Sequence, residues 1–180
     1  FSNLPNKRND IKPKEYKNST DAILQSKSGI IYSSAWGGGI FAYDSNFNVV
    51  QNPIIPVAAH NDGISGWDMH ERSNGEIWIG MQGGSIRVYL PGTKKTAEIK
   101  TTVFDNKTVR QVIEDSSGNM WVGTQYGRVI KCSQSNWRDT GSFKVMLEAK
   151  GRITKMMTDK KGFVWVCTDR YGLFKLNAGD

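Results

Sequence analysis

The chain has 180 residues, of which 24 are Lys or Arg and 17 are Asp or Glu, so that its formal charge is +7. Apolar residues make up 38%, and only two His and two Cys are present. This length and composition are typical of one soluble globular domain, and they exclude collagen-like, disordered and disulfide-rich classes. With so few His and Cys, a metal site or an enzyme built on a His cluster is disfavoured. No apolar stretch approaches the roughly 18 residues that a membrane-spanning helix needs.

Basic residues are concentrated near the start of the sequence, where five Lys and Arg fall between positions 7 and 17. This stretch lacks apolar periodicity, and we expect residues 1–19 to form an extended arm or a ring-closing edge segment. Two smaller basic pairs, Lys94–Lys95 and Lys160–Lys161, occur where turns are expected. Because these charges lie at separate turns without interleaved aromatic residues, they predict a solvated surface and no nucleic-acid partner.

A short motif, Gly followed by two residues and a large aromatic residue, recurs four times. Its copies are Gly29–Tyr32, Gly75–Trp78, Gly118–Trp121 and Gly162–Trp165, and the aromatic residues are 43–46 positions apart. In every copy an aliphatic residue follows the aromatic one after eight positions: Ile40, Ile86, Val129 and Leu173. This regularity indicates an internal repeat of the whole chain.

Each repeat divides into short strands with turns rich in Gly and Asp between them. The strands predicted in the third and fourth copies are 109–114, 120–124, 128–132, 143–147, 153–157, 164–168 and 173–176. Four antiparallel strands in about 45 residues are typical of a β-propeller blade, whereas a sandwich or a parallel β-helix would not give this period. The predicted fold class is therefore all-β, with β-propeller blades.

The repeats divide residues 20–180 into four units, at about 20–63, 64–107, 108–151 and 152–180, and the last unit lacks a predicted fourth strand. Residues 1–19 could supply that strand. Typical propellers have about four to eight blades, so four could in principle close. Because the first unit is irregular, with Tyr32 in place of Trp, we expect these units to be part of a larger ring. Four blades alone would expose apolar faces, and we expect them to self-associate, for example as two chains in one ring of about eight blades.

The stretch from Val109 to Thr124, Val-x-x-Val-Ile-x-Asp-x-x-Gly-x-x-Trp-Val-Gly-Thr, resembles the two-component regulator propeller repeat. The stretch from Ile153 to Thr168 is similar, with Cys167 in place of the usual Gly, whereas Arg72 and Ser26 replace Asp in the other two copies. The resemblance implies the periplasmic sensor region of a bacterial hybrid two-component system, itself non-enzymatic and without membrane contact. It also implies oligosaccharides from polysaccharide breakdown as ligands, with the kinase elsewhere in the protein.

The repeated residues are better explained by folding than by function. Asp115 and Asp159 each precede a Gly by three positions, which predicts Asx-type turns and not cation sites. The recurring residues Trp78, Trp121 and Trp165 are expected to pack between blades. We therefore predict no metal and no cofactor, and we look for the site among the residues that do not repeat.

In a propeller, the turn between the second and third strands lies on the same face as the connection that enters the next blade. Aromatic rings, amides and guanidinium groups on this face suit sugar recognition, although an ordinary polar rim has a similar composition. The turns supply Trp36, Gln82, Gln125, Tyr126, Asp169, Arg170 and Tyr171. The connections supply His60, Asn61, Asp62, Trp67, Lys107, Arg110 and Arg152. We assign all the turn residues, with Arg110 and Arg152, to the ligand site, and Trp36 beside three Gly is the strongest single candidate.

No Ser–His–Asp or Cys–His pattern is present, so no catalytic residue is predicted. His70 is expected to be a half-buried strand residue, and Cys132 and Cys167 are expected to be buried thiols. Two other functions stay open. One is a scaffold whose loop face binds a polypeptide, and the other is a carbohydrate-active or lyase propeller with converging acids or a metal.

Overall fold

The computed structural model describes residues 20–35, 39–55, 65–133 and 137–179. The chain divides into two compact units, Phe1–Gly66 and Trp67–Asp180. The strands of the first unit are β1 (Thr20–Gln25), β2 (Ile31–Ala35), β3 (Gly39–Tyr43) and β4 (Val49–Ile55). Those that follow are β5 (Gly66–Glu71), β6 (Ile77–Met81), β7 (Ser85–Leu90), β8 (Lys95–Lys100), β9 (Val109–Glu114), β10 (Met120–Thr124), β11 (Arg128–Cys132), β12 (Phe143–Glu148), β13 (Ile153–Thr158), β14 (Phe163–Thr168) and β15 (Gly172–Asn177).

Consecutive strands pair antiparallel and form four separate sheets, which we number as blades 1 to 4. Blades 1 to 3 have four strands each, in the orders β1–β4, β5–β8 and β9–β12, and blade 4 has the three strands β13–β15. The all-β propeller fold predicted from the repeat is confirmed, and the strands predicted in the third and fourth copies agree with the structure to within one residue. The boundaries proposed for the repeats stay predictions.

The recurring Asp holds both the turn and the aromatic residue of its blade. In blade 3, Asp115 Oδ1 accepts hydrogen bonds of 2.9 Å from the backbone N–H groups of Ser117 and Asn119. Its Oδ2 accepts one of 2.8 Å from Trp121 Nε1. Asp159 makes the same set of contacts in blade 4, including 2.8 Å to Trp165 Nε1. The predicted Asx turns are confirmed, and the contact with the indole explains why Asp and Trp recur together.

Blade 2 has Arg72 at this position, and its side chain is buried. Its Nη1 lies 3.0 Å from Glu76 Oε2 in the same blade, and its Nε lies 3.2 Å from Glu114 Oε1 in blade 3. Its Nη2 also donates to the backbone carbonyl of Gly118, at 3.0 Å. The departure from the repeat therefore replaces a contact within one blade with a bridge between two blades.

The core of the second unit lies between its blades. The second strands β6 and β10 are buried at every residue. For β10 the cause is that blade 2 packs on one face, against Met120 and Val122, and blade 4 on the other, against Trp121. Gly123 permits the close approach of blades 3 and 4, since a Cβ there would lie 2.7 Å from Ile153 Cγ2 and from Met156 Sδ. The recurring Trp78 and Trp121 are fully buried, as predicted, whereas the prediction is wrong for Trp165 of blade 4, which is half-buried.

One sequence prediction about the cysteines is wrong. Cys132 is buried, and burial raises the pKa of its thiol, but Cys167 is exposed. Cys167 occupies the position of Gly123 in the repeat, on the face that in blade 3 packs against the next blade. In the described part of the chain no further blade covers this face of blade 4, and Leu173 on the same face is 59% exposed. His70 is half-buried in β5, as predicted.

Candidate ligand-binding site

The site is built by the turn between β10 and β11, the turn between β14 and β15, and the connection from β12 to β13. Two backbone hydrogen bonds place each turn beside the connection that enters its own blade. The N–H of Gln125 donates to the carbonyl of Thr108 at 2.9 Å, and the N–H of Asp169 donates to that of Arg152 at 3.0 Å. The connection also reaches the preceding turn, since the N–H of Ala149 donates to the carbonyl of Gly127 at 3.0 Å. The predicted meeting of turns and connections on one face is confirmed for blades 3 and 4.

These loops line an open cavity of about 450 Å³. Its lining residues are Gln125, Tyr126, Gly151, Arg152, Asp169, Arg170 and Tyr171. Six of the nine residues assigned to a ligand site from the sequence therefore lie around one cavity. They come from two blades and from positions that the repeat does not fix.

Gly151 is the lining residue that the sequence analysis missed. Its φ is +87°, and a Cβ there would lie 2.7 Å from the carbonyl oxygen of Asp169 and from Tyr171 Cδ2. Only glycine lets the β14–β15 turn pack this closely on the connection, which sets the position of the Tyr171 ring. The signal in the sequence that could have revealed this residue is a Gly at a repeat position where the preceding connection has Lys107.

Arg152 and Asp169 form a pair across one side of the cavity. The guanidinium Nη2 of Arg152 lies 3.3 Å from Asp169 Oδ2, and the backbone N–H of Arg152 donates to Asp169 Oδ1 at 2.6 Å. Both side chains are partly exposed, so this pair contributes little to stability. Its effect is to hold the guanidinium of Arg152 in one orientation beside the cavity.

Two aromatic rings and a second arginine complete the lining. Tyr126 is 64% exposed and Tyr171 is 52% exposed, so part of each ring is accessible to a ligand. Lys107 Nζ lies 4.8 Å from the centre of the Tyr126 ring. Arg170 is exposed and has a φ of 76°, and no hydrogen bond or ion pair joins it to another described residue.

The other predicted residues are not brought to this cavity. Trp36 lies outside the described residues, as do His60, Asn61 and Asp62. Gln82 is half-buried in the turn between β6 and β7. Arg110 stacks on Trp67, with its guanidinium carbon 4.0 Å from the ring centre. Neither Gln82 nor Arg110 lines the cavity.

A search of the described residues for metal ligands finds no group of three or more His, Cys, Asp or Glu that could hold an ion. The same part of the chain contains no helix with the length and apolar character needed to cross a membrane.

Blades of sequential antiparallel strands with a cavity among their loops define this chain as a β-propeller protein with a candidate site on its loop face. Residues 103–126 match the family model described as two component regulator propeller, which confirms the resemblance found in the sequence. This segment includes β9, β10 and the first two residues of the cavity, Gln125 and Tyr126. No curated protein matches the chain.

Several solved structures share this fold. Two structures of the extracellular domain of BT4673 from B. thetaiotaomicron are similar to this chain. One is described as part of a one component system, with a TM-score of 0.73 at 21% identity. The other is described as part of a hybrid two component system, with a TM-score of 0.72 at 22% identity. Each comparison covers 88% of this chain and 21% of that one. For the extracellular domain of BT3049, described as part of a hybrid two component system from B. thetaiotaomicron, the TM-score is 0.68 at 18% identity, covering 90% and 22%.

A catalytically inactive virginiamycin B lyase from Staphylococcus aureus is also similar, with a TM-score of 0.67 at 10% identity, covering 93% of this chain and 58% of that one. At these identities the likeness is one of fold. The chain spans about a fifth of the length of the B. thetaiotaomicron domains.

Proposed function

We propose that this chain is a non-enzymatic, ligand-sensing propeller segment from the extracytoplasmic part of a two-component signalling protein. Its ligand is an oligosaccharide released by polysaccharide breakdown, bound in the cavity between the loops of blades 3 and 4. The observation that carries the proposal is the meeting of six unrepeated polar and aromatic residues around one cavity. The propeller match at residues 103–126 and the extracellular domains among the structural neighbours support the signalling context and the location.

The chemistry of the lining suits a sugar. The open rings of Tyr126 and Tyr171 provide faces on which the C–H surface of a pyranose can stack. Gln125 and the oriented guanidinium of Arg152 provide donors and an acceptor for hydroxyl groups. The cavity volume of about 450 Å³ is within the range of small-molecule sites. The core of a polypeptide-binding face is depleted of charged residues, whereas this lining has three, Arg152, Asp169 and Arg170, which favours the sugar over the scaffold alternative.

The position of the cavity also indicates how binding could be transmitted. A ligand held by loops from blades 3 and 4 stabilises one arrangement of this face over others. A partner sensor that docks differently on the ligand-bound and ligand-free arrangements of this face would change its docking when the ligand binds. This change would alter the activity of a kinase across the membrane. The propeller needs no catalytic group for this task.

A thermal-shift screen of the chain against plant, host and microbial oligosaccharides tests the proposal. A ligand present at a hundred times its dissociation constant adds about 2.7 kcal/mol to the stability, which raises the melting temperature measurably. We expect a shift with one class of sugar, and we expect Tyr126→Ala combined with Tyr171→Ala to abolish it.

The matched control is Phe47→Ala, which removes an exposed aromatic ring from the β3–β4 turn, outside the cavity lining. We expect this variant to keep the shift. A cooperative melt that no oligosaccharide changes would contradict the proposal.

We further propose that the exposed face of blade 4 docks against the first strand of another blade. Leu173 is 59% exposed and Met157 is 56% exposed, whereas Val129, which matches Leu173 in blade 3, is fully buried. The complementary surface is available on β1, where Ile23 is 72% exposed although the matching Met156 is buried against blade 3. A second copy of the chain therefore offers a suitable partner.

A further inference from the structure

We propose that the ligand carries an anionic group, a carboxylate or a sulfate on the sugar, and that Arg170 binds it. This inference rests on the proposed function, since it concerns the same cavity.

The first argument is the charge balance of the lining. Among the described residues that line the cavity, Asp169 is the only acidic one. Its two carboxylate oxygens contact the guanidinium and the backbone N–H of Arg152. Arg170 has no acidic partner among the described residues. Lys107, on the ring of Tyr126, adds a second positive charge to this side of the cavity. The lining therefore has an uncompensated positive charge at the place where a ligand would enter.

The second argument is the backbone of Arg170. Its φ of 76° lies in the left-handed region, which disfavours every residue with a Cβ. The matching position in the β6–β7 turn is Gly83, with a φ of 80°. The turn thus has a conformation that glycine adopts without strain, yet blade 4 carries arginine. A strained residue with an exposed and unpaired side chain indicates that the side chain serves a ligand.

The third argument is the geometry of the neighbouring groups. Arg170 stands in the turn between Asp169 and Tyr171, and the ring of Tyr171 is held against Gly151. A guanidinium group next to an open aromatic face can bind two oxygens of a carboxylate or sulfate while the sugar ring stacks beside it. A neutral sugar would leave this guanidinium without a counter-charge.

Isothermal titration of the full chain tests the inference. The acidic probes are trigalacturonate and a hyaluronan tetrasaccharide for carboxylates, and carrageenan oligosaccharides for sulfates. Each is compared with an uncharged counterpart, namely methyl-esterified trigalacturonate, chitotetraose or galactotriose. We expect an acidic probe to bind at least tenfold more tightly than its counterpart, and the effective probe class distinguishes carboxylate from sulfate.

The decisive variant is Arg170→Gly, which removes the cation and relieves the backbone, so that loss of binding is not loss of folding. We expect it to weaken binding of the acidic probe about tenfold to a hundredfold. The matched control is Lys94→Gly in the β7–β8 turn, which also removes a cation from a residue with positive φ, here 55°. We expect that control to bind the acidic probe as the unchanged chain does.

The outcomes separate the two proposals. Tight binding of a neutral sugar that Arg170→Gly does not alter would overturn the inference and support the proposed function. Acidic binding that survives in Arg170→Gly would also overturn it. Binding of no probe from either class would overturn both.

Discussion

The carboxylate Oδ2 of Asp68 accepts a hydrogen bond of 2.8 Å from the backbone N–H of Val112, which lies 44 residues later on the first strand of the next blade. One blade further, Gln111 Oε1 accepts from the N–H of Met156 at 3.1 Å, across a separation of 45 residues. The repeat thus places a side-chain acceptor opposite a free strand N–H at each of these two junctions. Asp and Gln both perform this task, but only Asp adds a charge that must be buried.

Burial raises the pKa of Asp68 from its ordinary value of 3.8 to about 6, although the hydrogen bond from Val112 and the charge of Lys155 act in the opposite direction. The folded chain therefore binds this proton more tightly than the unfolded chain does. The contribution of this group to stability is therefore greatest below about pH 4. That contribution, about 3 kcal/mol, is lost as the pH rises through about 6.

We predict that Asp68→Asn, which keeps an acceptor for Val112, raises stability at pH 8 and removes this part of the pH dependence. Urea unfolding at pH 4 and pH 8 measures both effects. Asp44→Asn is the control, because hydrogen bonds from Asn48 lower the pKa of Asp44. The control should lose stability at pH 8. The same pH dependence in Asp68→Asn as in the unchanged chain would contradict the assignment.

Arg72 is predicted to be one of the most sensitive residues of the second unit. Its replacement by Met leaves the largely buried carboxylates of Glu76 and Glu114 without their cation, and removing one partner of a buried ion pair typically costs about 3–5 kcal/mol. The free energy of unfolding in urea measures this loss. Combining Arg72→Met with Glu114→Gln should cost less than the sum of the two single changes, because they share one interaction.

The exposed pair of Arg87 and Glu98 is the matched comparison for Arg72. Its atoms are also 3.2 Å apart, but both side chains are at least a third exposed. Arg87→Met should therefore change the stability by less than about 1 kcal/mol. Equal losses of stability in Arg72→Met and Arg87→Met would contradict the prediction, because the bridge between blades 2 and 3 would then contribute no more than an exposed ion pair.

Replacement by Ala at one repeat position should have different effects in blades 3 and 4. Gly123→Ala places a Cβ against Ile153 and Met156, and we expect a loss of about 1–3 kcal/mol. Cys167 holds the same position in blade 4 but is exposed, so Cys167→Ala should leave the stability nearly unchanged. Thermal unfolding of both variants checks this contrast, which would fail if the two substitutions cost the same.

The sequence predicts those features that each blade determines within itself. The turn of Asp115 and its contact with Trp121 depend on residues at most six positions apart, so a repeated pattern reveals them. Six of the nine residues assigned to a site from the sequence lie around one cavity, because propeller topology brings the turns and connections of neighbouring blades together. Features that depend on a neighbour were missed, namely the bridge from Arg72 to Glu114 and the fit of Gly151 under Tyr171. The prediction that Cys167 is buried was wrong for the same reason, since its burial depends on a further blade and not on its own strand.

Self-association through the exposed face of blade 4 is the last prediction. Met157 pairs with Trp165 and Leu173 pairs with Cys167, so that these side chains share one face of the sheet. We expect sedimentation velocity to show association that increases with concentration, because docking of this face on β1 of a second copy buries exposed apolar side chains.

Leu173→Lys and Ile23→Lys should each weaken this association, since each places a charge on one side of the proposed contact. Val145→Lys is the control, because Val145 is an exposed aliphatic residue on the outer strand of blade 3 and lies on neither surface. The double variant should weaken association no more than either single variant does, because both substitutions disrupt the same interface from opposite sides. A chain that is monomeric at every concentration would contradict self-association.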